Sequence, residues 1–160
     1  MKKSILLIAS FLVMGFAQAQ SNIEEVQMFQ SLFGAEKKAV VAEFIKLQSP
    51  AKETFWGLYD QFETERKGLG LARFDILGQY AANYATLDDL KTNEIMKEII
   101  DLQKKNDKLL LTYYGKINKA VGAKPAAQFY QLESYFLSVI RTTILESVPF
   151  IGELDDVQKN

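Results

Sequence analysis

The sequence predicts an all-α protein of four helices, with a long antiparallel hairpin at its centre. Apolar residues return at three- and four-residue steps through most of the chain, and the alternation typical of β-strands is found nowhere. The segments between the periodic runs are short, and short connections make consecutive helices antiparallel neighbours. We expect the hairpin helices at about 50–84 and 87–121, flanked by shorter helices at about 23–47 and 125–147.

The first 19 residues have the three parts of a secretory signal peptide. A cationic start at Lys2 and Lys3 precedes an apolar run over residues 5–17, and small residues at Ala17 and Ala19 stand before a cut ahead of Gln20. The run is shorter than the roughly 20 residues that span a bilayer, which favours a cleaved signal over a membrane anchor. We therefore expect a mature chain that is periplasmic or secreted and has no stable membrane span.

The residue types exclude several kinds of chemistry. Cysteine and histidine are absent, which removes thiol nucleophiles, Ser-His and Cys-His pairs, and zinc or di-iron sites built on those residues. The 19 basic residues less Lys2 and Lys3 leave 17 against 20 acidic ones, a net charge of −3, so no nucleic-acid-binding face is expected. We expect a non-enzymatic protein without cofactor or metal, with one helical domain at 20–150 and a polar tail at 151–160.

Short signals mark the helix ends. Ser49 and Pro50 predict the start of the second helix, as N-cap and first helical residue. Thr86 predicts the N-cap of the third helix, with acidic residues in its first turn. Gly122 predicts the end of that helix, and Pro125 the first turn of the fourth. In the first helix the apolar pattern has a gap at about residues 34–38, which weakens the prediction for its middle.

Gly68 and Gly70, in the stretch ERKGLGLAR, fit either a phosphate-binding loop or the interior of the second helix. The dinucleotide pattern needs a third glycine where Arg73 stands, and a strand before it. Helical phase instead runs through the stretch without a break. We therefore expect a continuous or gently kinked helix, with the glycines at a bend or a close helix crossing. The seam of this helix is formed by Phe55, Tyr59, Phe62, Arg66, Leu69, Arg73, Ile76, Tyr80 and Asn83.

Three segments resemble a group of small exported helical proteins of Bacteroidetes-type bacteria: FWGLYDQFE with Arg66, YAANY and AAQFYQLE. The layout is more distantly similar to the Spy and CpxP group of periplasmic proteins, which are long-hairpin dimers that act as ATP-independent chaperones or stress-signal modulators. The Leu-Thr-x-x-Gln repeats of that group are not fully matched, and a mildly acidic chain stands where Spy has a cationic cradle. The resemblance implies an exported protein that binds protein clients. Because the shorter first and fourth helices cannot cover the whole hairpin, either one face stays open or a second copy covers it, and we expect a homodimer.

The hairpin carries the candidate residues for binding a client or partner. A chaperone surface requires exposed aromatic groups mixed with charges, whereas aromatic residues at helical spacing are usually core. For the arginines, the alternative is a packed stem whose guanidinium reaches an acid such as Glu63 or Asp107, and Asn106 is expected to set the helix register. The candidates are Phe55, Trp56, Tyr59, Arg66, Arg73, Tyr80, Tyr84, Tyr113 and Tyr114.

Three functions remain open at this point. The first is a holdase or envelope-stress modulator, and the second is a structural or regulatory partner of one envelope protein. The third is a carrier of a lipid or another apolar ligand. The first two would use the same hairpin face, so the residues alone do not separate them.

Overall fold

The computed structural model describes residues 23–154, with side chains at residue 30 and from residue 32 onward. Within this range the chain forms four α-helices and no β-strand, which confirms the all-α prediction. The predicted signal peptide and residues 155–160 lie outside the described residues. The helices are α1 (Ile23–Phe44), α2 (Ala51–Asn83), α3 (Asp89–Val121) and α4 (Ala123–Ser147), and a 3-10 turn at Tyr84–Thr86 follows α2.

Helices α2 and α3 form the predicted antiparallel hairpin. Each has 33 residues, and at 1.5 Å per residue each is about 50 Å long. Helix α4 packs along α3, and α1 crosses α2 and α4. No helix within residues 23–154 is both long enough and apolar enough to cross a membrane.

Two helix starts differ from the prediction. Pro50 occupies the N-cap position of α2, and the Ser49 hydroxyl donates to the Glu53 carboxylate at 2.5 Å instead of capping the backbone. The cap of α3 is Asp88, whose carboxylate accepts a first-turn backbone N–H at 2.7 Å. Thr86 ends the 3-10 turn instead. An aspartate suits the cap at least as well as a threonine, because its negative charge also meets the positive end of the helix dipole.

Gly122 ends α3 as predicted. Its φ of +103° lies in the region that favours glycine, and its N–H donates to the Asn118 carbonyl at 3.1 Å. Helix α4 starts at the next residue, so Pro125 lies in its first turn. A connection of one residue keeps α3 and α4 side by side.

The buried apolar side chains form two cores along the hairpin. Polar side chains at Arg66, Arg73 and Asn106 lie between them. The main core lies away from the turn between α2 and α3, and contains Val41, Ile45, Phe55, Tyr59, Phe62, Leu109, Leu110, Tyr113, Ile117, Ala126, Phe129 and Phe136. The second core lies near the turn, and contains Ile76, Tyr80, Ile95 and Leu102.

Helix α2 runs without a break through Gly68 and Gly70, which confirms the predicted continuous helix. A Cβ on Gly70 would fall 2.5 Å from the Gln30 amide of α1, whereas no described atom lies within 4 Å of one on Gly68. With its amide oriented to satisfy both groups, Gln30 donates to the Lys67 carbonyl at 3.1 Å and accepts from the Leu71 N–H at 3.2 Å. Gly70 therefore marks a close helix crossing, and Gly68 does not.

Candidate functional site

Most of the aromatic residues predicted to bind clients lie in the interior. Phe55, Tyr59 and Tyr113 are at most 1% exposed and belong to the main core. Trp56 and Tyr114 are half-buried and pack against the same core. These five rings therefore lie in or against the core, as aromatic residues at helical spacing usually do. Their role in binding a partner stays a prediction.

Tyr80 and Tyr84 hold the chain that follows α4. The Tyr80 hydroxyl donates to the Pro149 carbonyl and the Tyr84 hydroxyl donates to the Phe150 carbonyl, each at 2.7 Å. These bonds fix residues 148–154, which we call the C-terminal strap, against the turn end of the hairpin. Within the segment predicted as a polar tail, the Leu154 N–H donates to the Tyr84 hydroxyl at 3.1 Å, so this part of the tail is bonded to the hairpin.

Charged side chains meet inside the bundle where α1, α2 and α4 come together. Lys37 is 1% exposed, and its ammonium donates to Glu63 and, at 2.8 Å, to Glu133. The Tyr59 hydroxyl donates to Glu133 at 3.1 Å, and the Arg66 Nε donates to Glu63 at 2.8 Å. We call these five residues the charge cluster. Its two positive and two negative formal charges cancel, which limits the cost of removing them from water.

The pKa values of the two carboxyl groups of the cluster are shifted in opposite directions. Burial raises the pKa of Glu133 above 4.5, where the charge of Lys37 opposes the rise and that of Glu63 adds to it. Burial also acts to raise the pKa of Glu63, but the charges of Lys37 and Arg66 outweigh it, so that pKa is lowered. Burial, followed by the charges of both carboxylates, raises the pKa of Tyr59. Tyr59 therefore remains a hydrogen-bond donor at neutral pH.

Aromatic rings surround the ammonium group of Lys37. Its Nζ lies 5.3 Å from the ring centre of Phe62, 5.8 Å from those of Tyr59 and Phe136, and 6.0 Å from that of Phe33. These distances are within the range of cation–π attraction. The cluster therefore joins three helices through both carboxylates and ring faces, and its ionised groups are engaged with one another.

Two adjoining spaces extend along the hairpin from the charge cluster. The inner cavity has a volume of about 90 Å³ and is lined by Arg73 and by three members of the cluster. The larger space, which we call the groove, has a volume of about 530 Å³ and lies between α2, α3, α4 and the C-terminal strap. Arg73, Leu77 and Ile144 line both spaces, so the groove begins where the inner cavity ends.

Most of the groove is apolar. Its volume falls within the roughly 300–1,000 Å³ that is typical of small-molecule sites. Several large apolar side chains at its edge are exposed, among them Met96, Phe150 and Ile151. Exposed apolar surface of this kind, gathered around a concave space, is typical of interaction sites. Its walls include Ile76 and Leu77 of α2, Ile99 and Leu102 of α3, and Ile144 and Leu145 of α4.

Two arginines line the groove. The Arg141 Nη2 donates to Asp107 at 3.3 Å at the surface. Arg73 is half-buried, and no hydrogen bond or ion pair joins it to any described residue. Burial, together with the positive charges of Arg141 and Arg66, lowers the pKa of Arg73 to about 10, so Arg73 is cationic at neutral pH. The groove therefore contains one cation whose charge the described residues do not neutralise.

The structure divides the sequence-predicted site residues among three places. Arg73 and Tyr80 line the groove, and Tyr84 holds the strap beside it. Arg66 and Tyr59 belong to the charge cluster, where Arg66 reaches Glu63 as expected. The other four candidates, Phe55, Trp56, Tyr113 and Tyr114, belong to the main core or pack against it. Lys37, Glu133 and Arg141 are additional residues that the apolar pattern did not single out.

Comparison of the chain with protein-family models, with curated proteins and with solved structures found no match.

Proposed function

We propose that this chain is a non-catalytic binding protein and that the groove is its binding site. One observation carries this proposal: an apolar space of about 530 Å³ lies between three helices and opens among exposed apolar side chains. Burying those side chains against a ligand would remove them from water, which stabilises the complex by about 25 cal/mol for each Å² of apolar surface buried. An apolar ligand or the apolar part of a larger molecule fits this chemistry.

The absence of catalysis is part of the proposal. The side chains most suited to proton transfer, Lys37, Glu63 and Glu133, are bonded to one another inside the bundle. Perturbed pKa values occur in structural ion-pair networks as well as in active sites. The position of these groups at the junction of three helices supports a structural interpretation.

We also propose that the protein works outside the cytoplasm. The signal-peptide pattern of residues 1–19 supports this location. A ligand carrier in that compartment would keep an apolar molecule in solution without any energy source, since the binding free energy comes from burial alone.

The test uses the mature chain from Gln20 and the neutral fluorescent probe N-phenylnaphthylamine. We expect saturable binding with a fluorescence increase. Ile99→Gln and Leu111→Gln form a matched pair, because both residues are exposed apolar positions on α3 but only Ile99 lines the groove. Loss of about 1 kcal/mol of apolar burial predicts roughly fivefold weaker binding for Ile99→Gln. Leu111→Gln should bind as the parent does. Absence of saturable binding, or equal binding by the two variants, would overturn the proposal.

Protein binding is a second candidate function, because exposed apolar side chains also lie outside the groove, among them Leu32, Phe44, Tyr130 and Tyr135. Such positions suit a client, one defined envelope partner or a second copy of the chain. Suppression of client aggregation in a light-scattering assay would support a holdase, and one strong crosslinked species in cell extract would support a single partner. The solution mass tests the proposed homodimer. A monomer without effect on client aggregation and without a crosslinked partner would leave the groove as the remaining proposal.

A further inference from the structure

Arg73 differs from the other two arginines near it in having no acid. Arg66 donates to Glu63 at 2.8 Å, and Arg141 donates to Asp107 at 3.3 Å. Among the described residues, Arg73 has no equivalent partner. No described acid therefore balances the positive charge of Arg73.

An excess cation in a half-buried apolar setting is unfavourable. The surrounding side chains offer it little solvation, and the like charges of Arg66 and Arg141 repel it, both of which act to lower its pKa. An anion placed against the guanidinium would relieve both effects. In a low-dielectric site, such a charge-assisted hydrogen bond is stronger than in water.

The position of Arg73 also fixes the shape of a suitable ligand. On α2 the groove-lining residues run from Arg73 through Ile76 and Leu77 to Tyr80. This stretch covers about 10 Å at 1.5 Å per residue. The C-terminal strap closes the far end, at Pro149 and Phe150. The groove thus has a cation where it meets the inner cavity and apolar walls along the rest of its length.

We propose that the groove takes a single-chain amphiphile with one anionic head group, such as a fatty carboxylate, with its head on Arg73 and its chain directed toward the strap. This inference rests on the proposed function, since it names the ligand class of the same groove. A carboxylate suits the guanidinium because the two planar groups can form two parallel hydrogen bonds.

The test compares dodecanoate with dodecanol, which has a chain of the same length and no charge. Each competes with N-phenylnaphthylamine on the mature chain, dodecanoate below its micelle-forming concentration and dodecanol below its solubility limit. We expect dodecanoate to bind about tenfold more tightly or better, because a hydrogen bond to a charged group contributes about 1.5–3 kcal/mol. Equal affinities would overturn the proposed ligand class but leave the apolar groove intact. Failure of both the probe and the two competitors to bind would overturn the proposed function itself.

Variants locate the head group. Arg73→Gln should weaken dodecanoate binding about tenfold and leave dodecanol binding unchanged, whereas Arg73→Lys should show a smaller loss because it keeps the charge. Lys108→Gln, which removes an exposed cation of α3 that does not line the groove, is the control for net charge. Unchanged dodecanoate affinity in Arg73→Gln, or the same loss in Lys108→Gln, would contradict the proposal. Melting temperatures of all three variants separate loss of binding from loss of fold.

Discussion

Lys37 of α1 donates to Glu133 of α4 at 2.8 Å in the interior of the bundle, across a sequence separation of 96 residues. This bond joins the first described helix to the last. Together with the bond from Lys37 to Glu63 of α2, it makes one ammonium group the common partner of three helices.

Removal of the Lys37 charge should strongly destabilise the fold. Lys37→Met leaves Glu63 and Glu133 buried near each other without their shared cation, and breaking a buried pair in this way costs about 3–5 kcal/mol. Lys38→Met is the control, because Lys38 forms an exposed ion pair with Asp60 and should contribute about 1 kcal/mol or less. Urea unfolding measures both free energies. Equal losses for the neighbouring lysines would show that the cluster does not stabilise the bundle.

Glu133 and Glu63 should give opposite pH dependences of stability. The pKa of Glu133 is raised in the fold, so its stabilising contribution is present below pH 4.5 and is lost as the pH rises through the folded value. The pKa of Glu63 is lowered, so its contribution is present above pH 4.5 and is lost as the pH falls through the folded value. We expect Glu133→Gln to reduce the loss of stability as the pH rises, and Glu63→Gln to reduce the loss of stability as the pH falls. The free energy of unfolding, measured against pH, tests both expectations. A variant whose curve matches that of the parent would refute the effect assigned to the glutamate it replaces.

The two glycines of ERKGLGLAR should respond differently to alanine. Gly68→Ala places a methyl group where no described atom lies within 4 Å, and should stabilise the helix by about 0.5–1 kcal/mol. Gly70→Ala should be less stable than Gly68→Ala by about 1–2 kcal/mol, because the Gln30 amide must move and lose its bonds to the backbone of α2. Thermal unfolding of both variants checks the order. The reverse order would mean that α1 does not cross α2 at Gly70.

The C-terminal strap should close one end of the groove through the tyrosine hydroxyls. Tyr80→Phe and Tyr84→Phe each remove a bond to a strap carbonyl, which contributes about 1 kcal/mol. We expect faster amide hydrogen exchange in residues 150–154 and weaker binding of N-phenylnaphthylamine in the double variant. Tyr114→Phe is the control, since Tyr114 does not contact the strap. Unchanged exchange in the double variant would argue against a tethered strap.

Much of the helical layout could be predicted because apolar residues return at regular steps along α2, α3 and α4 and along most of α1. The interior polar groups could not, since the pattern treats a lysine as a surface residue. Lys37 falls in the gap at residues 34–38, and its burial is explained by its acids on α2 and α4 and by the aromatic rings around it. Those acids are distant in sequence, so no local pattern pairs them with Lys37.

The groove, too, could not be predicted from local sequence patterns. Arg73 lies on the seam of α2, but the alternative in which its guanidinium reaches an acid does not hold among the described residues, because Glu63 bonds Arg66 and Asp107 bonds Arg141. The end of the groove depends on Tyr80 reaching Pro149, which is 69 residues away. Tertiary contacts of this kind decide which part of a predicted apolar face stays open.

The most direct test of a binding site in the groove is to map the position of bound N-phenylnaphthylamine by methyl NMR on the mature chain. We expect ligand-dependent shifts to concentrate on the methyl groups of four residues that line the groove: Ile76, Ile99, Leu102 and Ile144. The methyl groups of Leu32 and Leu111, which are exposed elsewhere, should not change. Shifts spread evenly over the exposed apolar residues, or no shifts at saturating probe, would contradict a binding site in the groove.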